Sequence, residues 1–412
     1  MPALLPEYNL TLNDPSFVLD PYPLLAELRE SLPVFYDPAW NKVYFTRYDD
    51  IAALLRDKRL GRSILHVLSR DELGWPPPNP LTRDFDHFQE NHMLDNEPPK
   101  HTRLKGLMLK AFTPARAEGL RGVVQAIVNG LIDRVQDQGE MDLLKDFAEP
   151  IPVTVIAELL GVPEADRHLL RPWSAKIVKL YELGYTDEQA KAANQAVVEF
   201  STYVRALADE RRRRPRDDLI SALVQVEEQG EMLSDGELVA NCILLLNAGH
   251  EASVNGTTLG MLSLHHHPDQ MALVREAARR DDNEFFKTAV EELLRYDTPL
   301  PMFERWVLQD IDFNGIPLRR GMEVGLLYAS GNRDPHRFPQ PDALDLTRKE
   351  NPHLTFGLGI HYCIGAPLAR VELQTSFRAL LKRLPGIRIA REPVEYTGGF
   401  VIRGHKAMRV EF

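Results

Sequence analysis

The stretch Phe356-Gly357-Leu358-Gly359-Ile360-His361-Tyr362-Cys363-Ile364-Gly365 runs directly into Ala366-Pro367-Leu368-Ala369-Arg370. Pro367 suits the first turn of a helix, where a missing N–H costs nothing, so Cys363 is expected at a helix N-terminus. There it meets unpaired backbone N–H groups and the positive end of the helix dipole, both of which favour thiolate over thiol. Gly357, Gly359 and Gly365 let the backbone turn sharply and approach a bulky partner closely. The only other cysteine is Cys242, which excludes a disulfide framework and a Cys-rich zinc site. An iron–sulfur cluster also needs more sulfur than this chain offers.

One axial thiolate on a haem iron meets these conditions; a buried, inert cysteine after a glycine-rich turn is the bland alternative. Phe356, Gly357, Gly359, His361, Cys363 and Gly365 resemble the haem-binding signature of the cytochrome P450 monooxygenases. The resemblance implies Cys363 as axial ligand of haem b (iron protoporphyrin IX). It also implies Phe356, Gly357 and Gly365 as cofactor-binding positions, and His361 as a partner of a haem propionate.

Further matches follow in the family's order. Glu292-Leu293-Leu294-Arg295 lies about 70 residues before Cys363. On its own it is an i,i+3 ion pair of the kind that many solvated helix faces carry. The resemblance makes it a structural pair that holds the meander Asn332–Arg348 against the core and so supports the cysteine loop. Glu97-Pro98-Pro99-Lys100-His101-Thr102-Arg103-Leu104-Lys105 resembles the start of another family helix. His101 and Lys105, four apart, share a helix face, and the resemblance implies that they bind a propionate. Lys105 stands where arginine is commoner in the family, and lysine offers a point charge rather than a two-pronged fork. Arg305, by itself a surface charge, matches the remaining propionate partner.

Ser234-Asp235-Gly236-Glu237 is a capping box. It opens a helix expected to run to His267, before Pro268, some 34 residues or about 50 Å. Midway along it, Ala248-Gly249-His250-Glu251-Ala252-Ser253 resembles the family's oxygen-binding segment. The resemblance implies that Ala248 and Gly249 leave room for dioxygen and that Glu251 relays protons, since a carboxylate and a hydroxyl within hydrogen-bond reach make a path from solvent. The chain departs from the family here, because Ala252 occupies the usual threonine position and Ser253 comes one residue later. One residue is about 100° around a helix, so Ser253 substitutes only if the helix distorts locally. An ordered water, a substrate hydroxyl or a shifted Ser253 are the three ways to complete the relay. By analogy the substrate pocket takes Leu245, Asn247 and Ala248 from this helix, with Leu300, Phe303 and Val401 from later segments. Asn247, one turn before Glu251, either anchors a polar group of the substrate or bonds within the core.

The remaining sequence bounds these readings. The chain has 412 residues, 49 Lys+Arg against 60 Asp+Glu, and a net charge of -11. That acidity argues against a nucleic-acid partner. The 44% hydrophobic content supports a sizeable core. Met1–Glu7 lacks the basic region and apolar run of a signal peptide, and no stretch reaches the roughly 18 apolar residues of a membrane span; a cytoplasmic monomer is expected. Residues 100–122 are the exception to the acidity. Lys100, Arg103, Lys105, Lys110, Arg116 and Arg121 against Glu118 give +5. In the family this region lies on the thiolate side, where a basic patch steers an acidic electron donor. Arg211–Arg214 reads as a solvated helix end, and His265-His266-His267 as histidines suited to a helix C-terminus. Cys242 reads as core packing.

The expected fold is mainly α with small β-sheets, as a single domain over 1–412, with the haem between the long helix and the cysteine loop and its helix. Leu24, Leu25 and Leu28 suggest a first helix. Val34–Tyr36 and Val43–Thr46 suggest a hairpin, and residues 58–95 look irregular. The expected function is insertion of one atom of O2 into a small apolar organic substrate. Electrons would come from a ferredoxin-type donor and its NAD(P)H-dependent reductase. A haem sensor without catalysis stays open, as does a Cys363/His361 thiol hydrolase, although two residues apart on a loop is poor nucleophile–base geometry.

Overall fold

The computed structural model describes residues 5–181, 184–226 and 230–412. The opening Met1–Leu4, part of the segment read as no signal peptide, lies outside them. Alpha-carbon proximity groups the chain into two compact units. The first comprises Met1–Val67, Val124–Pro150 and Ala252–Phe412; the second comprises Leu68–Val123 and Ile151–Glu251.

The first unit carries the sheets. Its main sheet has five strands in the order Val34–Asp37, Lys42–Phe45, Glu323–Leu326, Phe303–Val307 and Leu60–Gly61. The hairpin expected at Val34 forms with Val34 opposite Phe45 and Asp37 opposite Lys42. Lys42–Phe45 runs parallel to Glu323–Leu326, and the other pairings are antiparallel. Alternation along these strands turns Val43, Phe45, Val324 and Leu326 into a core shared with Ile51, Leu54, Phe338 and Leu354. The helix at Leu24–Leu28 spans Tyr22–Ser31.

The second unit is helical. Its longest element entirely within the unit, Asp187–Arg213, starts with a complete Thr186/Gln189 capping box and stacks Phe200 on Trp173. Residues 58–95 are more ordered than their composition suggests. Leu60–Gly61 is a strand, and Arg83–Asn91 is a helix. The N–H groups of Asp84 and Phe85 in that helix donate to Asn194 Oδ1 at 2.7 and 3.1 Å, a cap from 110 residues away that no local pattern reveals. Arg211 also corrects a sequence expectation. It is buried rather than solvated, binding Asp218 and the Gly161 carbonyl.

The long helix spans Asp235–His266. Its capping box forms as expected: Glu237 N–H donates to Ser234 Oγ at 3.2 Å, and Ser234 N–H donates to Glu237 Oε2 at 2.9 Å. Every residue from Glu237 to Asn247, and again from Ser253 to Leu264, is buried; between them Ala248 is exposed and 249–252 are half-buried. The segment singled out for oxygen binding is thus the one break in a helix otherwise buried from Glu237 to Leu264. No helix among the described residues is long and apolar enough to cross a membrane.

Candidate functional site

The cysteine loop belongs to the first unit. Cys363 N–H donates to the Phe356 carbonyl at 3.0 Å, closing the loop, and the helix Ala366–Arg383 follows with Pro367 in its first turn. The Cys363 residue is exposed, whereas Cys242 is buried and its thiol is pushed up to about 12 by burial. Cys242 is inert packing. Two of the glycines, Gly357 and Gly359, are required by their positive φ. Gly359 has φ +72°, and a Cβ there would stand 2.2 Å from the Leu55 carbonyl oxygen. Gly357, at φ +67°, brings its backbone near the Tyr328 hydroxyl, and a Cβ on Gly365 would lie 3.7 Å from the Cys363 sulfur.

Beside this loop the main sheet places a cationic cluster. Arg305 is buried, with its guanidinium 5.3 Å from the Phe303 ring centre, and Arg62 lies 4.5 Å from the same ring. Phe303 stacks on Tyr328. Burial raises the Tyr328 phenol, opposed by Arg305 and Arg62. Arg62 was not legible in the sequence, because only the pairing of Leu60–Gly61 with Trp306–Val307 brings it to Phe303. His361 is half-buried, Leu300 and Phe303 likewise, and Val401 is exposed.

The Glu-x-x-Arg pair is fully buried. Arg295 grips Glu292 at 2.7 and 2.8 Å and donates to the carbonyls of Asn332 and Pro341 at 2.8 Å and of Ala343 at 3.2 Å. Glu292 also accepts from Asp345 N–H, Arg348 Nε and Asn351 Nδ2 at 3.0–3.1 Å. Asn332 then takes the Leu354 N–H at 2.7 Å, two residues before the loop begins. Removing one partner from so buried a network typically costs about 3–5 kcal/mol.

Ser253 turns into this unit, where its hydroxyl faces the Glu372 carboxyl of the cysteine helix. A cavity of roughly 540 Å³ in the same unit lies elsewhere, lined by Tyr22, His266, Tyr296, Arg333 and Arg403 among others. None of the expected pocket residues borders it. Of the histidine triplet, His266 binds Glu392 at 2.7 Å and His267 binds the Ser263 carbonyl at 2.7 Å.

In the second unit, His101 is buried and Lys105 half-buried on the helix Lys100–Ala111. Leu245 is buried. Asn247 is buried too, and neither atom of its amide has a hydrogen-bond partner, so a bond within the core is not what holds it. Gly249 has a packing reason as well: a Cβ there would stand 2.7 Å from the Ile156 methyl. Glu251 stands 3.4 Å from His250 Nδ1. Hydrogen bonding from His250 holds its carboxyl below the usual range, and Arg171 and Lys179 reinforce this against burial. Sequence reasoning missed these three, although His250 lay inside the quoted segment.

The basic window is weaker than its composition implies. Arg103 lies between Glu231 and Glu237, Arg116 is 3.6 Å from Asp217, and Arg121 pairs with Glu118. Three of these acids come from outside the window and reduce +5 to +2.

The donor set fits the haem that the resemblance implies. An exposed cysteine on a loop held in a tight turn by Gly357 and Gly359 suits a flat macrocycle with one sulfur ligand. Buried Arg305 and half-buried Arg62 and His361 suit its carboxylates.

Comparison with known proteins agrees. The sequence profile of the family described as Cytochrome P450 matches residues 62–385. The chain is 37% identical over 403 residues to the polyketide biosynthesis cytochrome P450 PksS of Bacillus subtilis, covering 95% of each. It is 35% identical to the 6-deoxyerythronolide B hydroxylase of Saccharopolyspora erythraea, over 97% of this chain and 98% of that one. Its fold is similar to that of P450BioI, solved in complex with a hexadec-9Z-enoic acid ligated acyl carrier protein. The TM-score is 0.87 at 34% identity, with 97% and 99% of the two chains covered.

Proposed function

The chain belongs to the cytochrome P450 family of haem-dependent monooxygenases, and on that premise we propose that it inserts one atom of dioxygen into an apolar organic substrate. The observation that carries this is the exposed Cys363 on its closed glycine loop at a helix N-terminus. The cofactor, haem b in this reading, supplies dioxygen binding and reductive activation when bound. Cys363 would hold its iron through the thiolate, an electron-rich ligand suited to that chemistry. Phe356, Gly357 and Gly365 shape the approach to it. His361, Arg305, His101 and Lys105 hold the propionates, and Arg62 joins them.

Glu251, kept ionised by its neighbours, accepts protons from solvent and passes them inward. Ala248, Gly249 and Ala252 leave space at the half-open part of the helix. Because the Ser253 hydroxyl is engaged with Glu372, an ordered water or a substrate hydroxyl completes the relay. Leu245, Leu300, Phe303 and Val401 line the pocket, and the unpartnered amide of Asn247 anchors a substrate oxygen. The relative named for polyketide biosynthesis and the one solved with a carrier-linked hexadecenoic acid support a polyketide-derived or long acyl substrate. Electrons arrive from separate partners, a ferredoxin-type donor and its NAD(P)H-dependent reductase. The protein acts as a cytoplasmic, monomeric, single catalytic domain.

The test is the absorption spectrum of the reduced, CO-bound protein. A thiolate-type Soret band that vanishes in Cys363→Ala is expected, and its absence from the parent would reject the reading. A panel of acyl chains and polyketide-derived lactones, scored by the spin-state shift on displacing iron-bound water, then identifies the substrate class.

A further inference from the structure

Two carboxylates stand side by side on the helix Asn283–Tyr296, and they serve different stretches of chain. Glu292 fastens segments that end at Asn351. Glu291, about 100° further around the helix, reaches residues that begin at His353. Its two oxygens accept Arg370 Nε and Nη2 at 2.7 and 2.8 Å, a two-point contact, and His353 Nε2 lies 3.1 Å from Oε2.

Arg370 carries this contact to the cysteine loop. Its remaining nitrogen, Nη1, donates to the Tyr362 hydroxyl at 3.2 Å, and its guanidinium lies 4.5 Å from the Phe356 ring centre. Phe356 and Tyr362 are the two sides of the loop: Phe356 offers its carbonyl to Cys363 N–H, and Tyr362 immediately precedes Cys363. His353 also packs on Phe356, with ring centres 5.8 Å apart. Burial alone would raise the Glu291 carboxyl, but Arg370 and His353 outweigh it and hold it down to about 2.

We propose that Glu291 and Arg370 are positioning residues for Cys363, clamping both sides of its loop through Phe356 and Tyr362 so that the sulfur stays in place as the iron ligand. This rests on Cys363 being that ligand. The pair is partly exposed, at 23% and 29% of its side-chain surface, and partly exposed ion pairs contribute little to global stability. All of its onward contacts converge on the loop. Its loss therefore acts on the persistence of the sulfur ligand more than on the fold.

The experiment compares Glu291→Gln, Arg370→Gln and Glu291→Asp with the parent holoprotein. Lys382→Gln, on the helix that carries Arg370, serves as a control that breaks an ion pair with Asp281. The readouts are the rate at which the reduced CO-bound form loses its thiolate-type band, and the urea midpoint of unfolding. Loss of the band on the order of ten times faster is expected for Glu291→Gln and Arg370→Gln, as a strong charge-assisted contact is removed. Glu291→Asp should recover part of the effect, and Lys382→Gln should show none. A band as durable as the parent's in both neutral variants overturns the proposal, as does loss only in proportion to a lowered unfolding midpoint. If Glu291→Gln does not accumulate as folded protein, Arg370→Lys, which keeps the charge but not the two-point contact, answers the same question. A parent without a thiolate-type band marks failure of the underlying reading instead.

Discussion

The Ser253 hydroxyl faces the Glu372 carboxyl and opposes the effect of burial on it, linking the long helix to the helix that follows Cys363. Both residues are buried, and the second carboxyl oxygen of Glu372 has no partner. Burial pushes this carboxyl up to about 8 from its usual 4.5, so it carries a proton at neutral pH. Below 4.5 the group is protonated whether the chain is folded or not, and it costs nothing. Between 4.5 and about 8 the folded chain keeps a proton that the unfolded chain releases, so stability falls as pH rises. Glu372→Gln removes that slope and should stabilise the protein at about pH 7 by on the order of 3 kcal/mol, with little gain below pH 4.5. Urea midpoints of parent and variant at acidic and neutral pH check this; a pH-independent difference would show that the carboxyl is not held neutral.

Ser253→Ala leaves Glu372 without its partner and should cost about 1–3 kcal/mol of stability. Because the hydroxyl is turned to Glu372, the yield of product per NAD(P)H consumed should stay at the parent value. A fall in that yield, with peroxide released, would return Ser253 to the proton relay.

The parts legible in the sequence are those whose chemistry is set by short spacing. The cysteine loop, the capping box at Ser234 and the Glu292/Arg295 pair each need only a few consecutive residues, and the structure forms each as a local unit. The parts that escaped depend on partners far along the chain. Arg370 and Glu291 are 79 residues apart, and either alone reads as a surface charge. Arg62 acquires its neighbours only through strand pairing. The basic window misled for the same reason, since a charge sum over 23 residues cannot include Asp217, Glu231 and Glu237, which fold back onto it.

Glu251→Gln keeps the shape and removes the charge that His250, Arg171 and Lys179 stabilise. A positioned proton donor or acceptor contributes about 10²–10⁴-fold to rate, so turnover should fall by about 10²-fold or more. Haem content and the substrate-induced spin shift should not change. Turnover close to the parent's would remove Glu251 from the relay.

Arg62→Gln tests a cation that the sequence did not reveal. Arg62 and Arg305 flank Phe303 together, and if both serve the haem carboxylates, losing one charge-assisted contact should speed haem loss by about tenfold. Transfer of haem to excess apomyoglobin measures that rate. A similar change at Arg59, which pairs locally with Asp57 on the exposed surface, should leave it unaltered, and equal rates for the two variants would place Arg62 outside the cofactor's reach.

Asn247→Leu separates a structural cost from a binding role. The buried amide lacks a partner for both its oxygen and its nitrogen, and an unsatisfied polar group costs about 1–3 kcal/mol. A leucine of similar volume should therefore raise the unfolding midpoint of the ligand-free protein. On the proposed reading a substrate oxygen satisfies the amide, so oxygen-bearing ligands should bind about tenfold more weakly to the variant. Hydrocarbon ligands of the same length should bind unchanged. Spin-state titrations with a matched pair, a hydroxylated chain and its alkane analogue, decide between the two roles: equal weakening for both ligands would mean that Asn247 shapes the pocket without anchoring an oxygen.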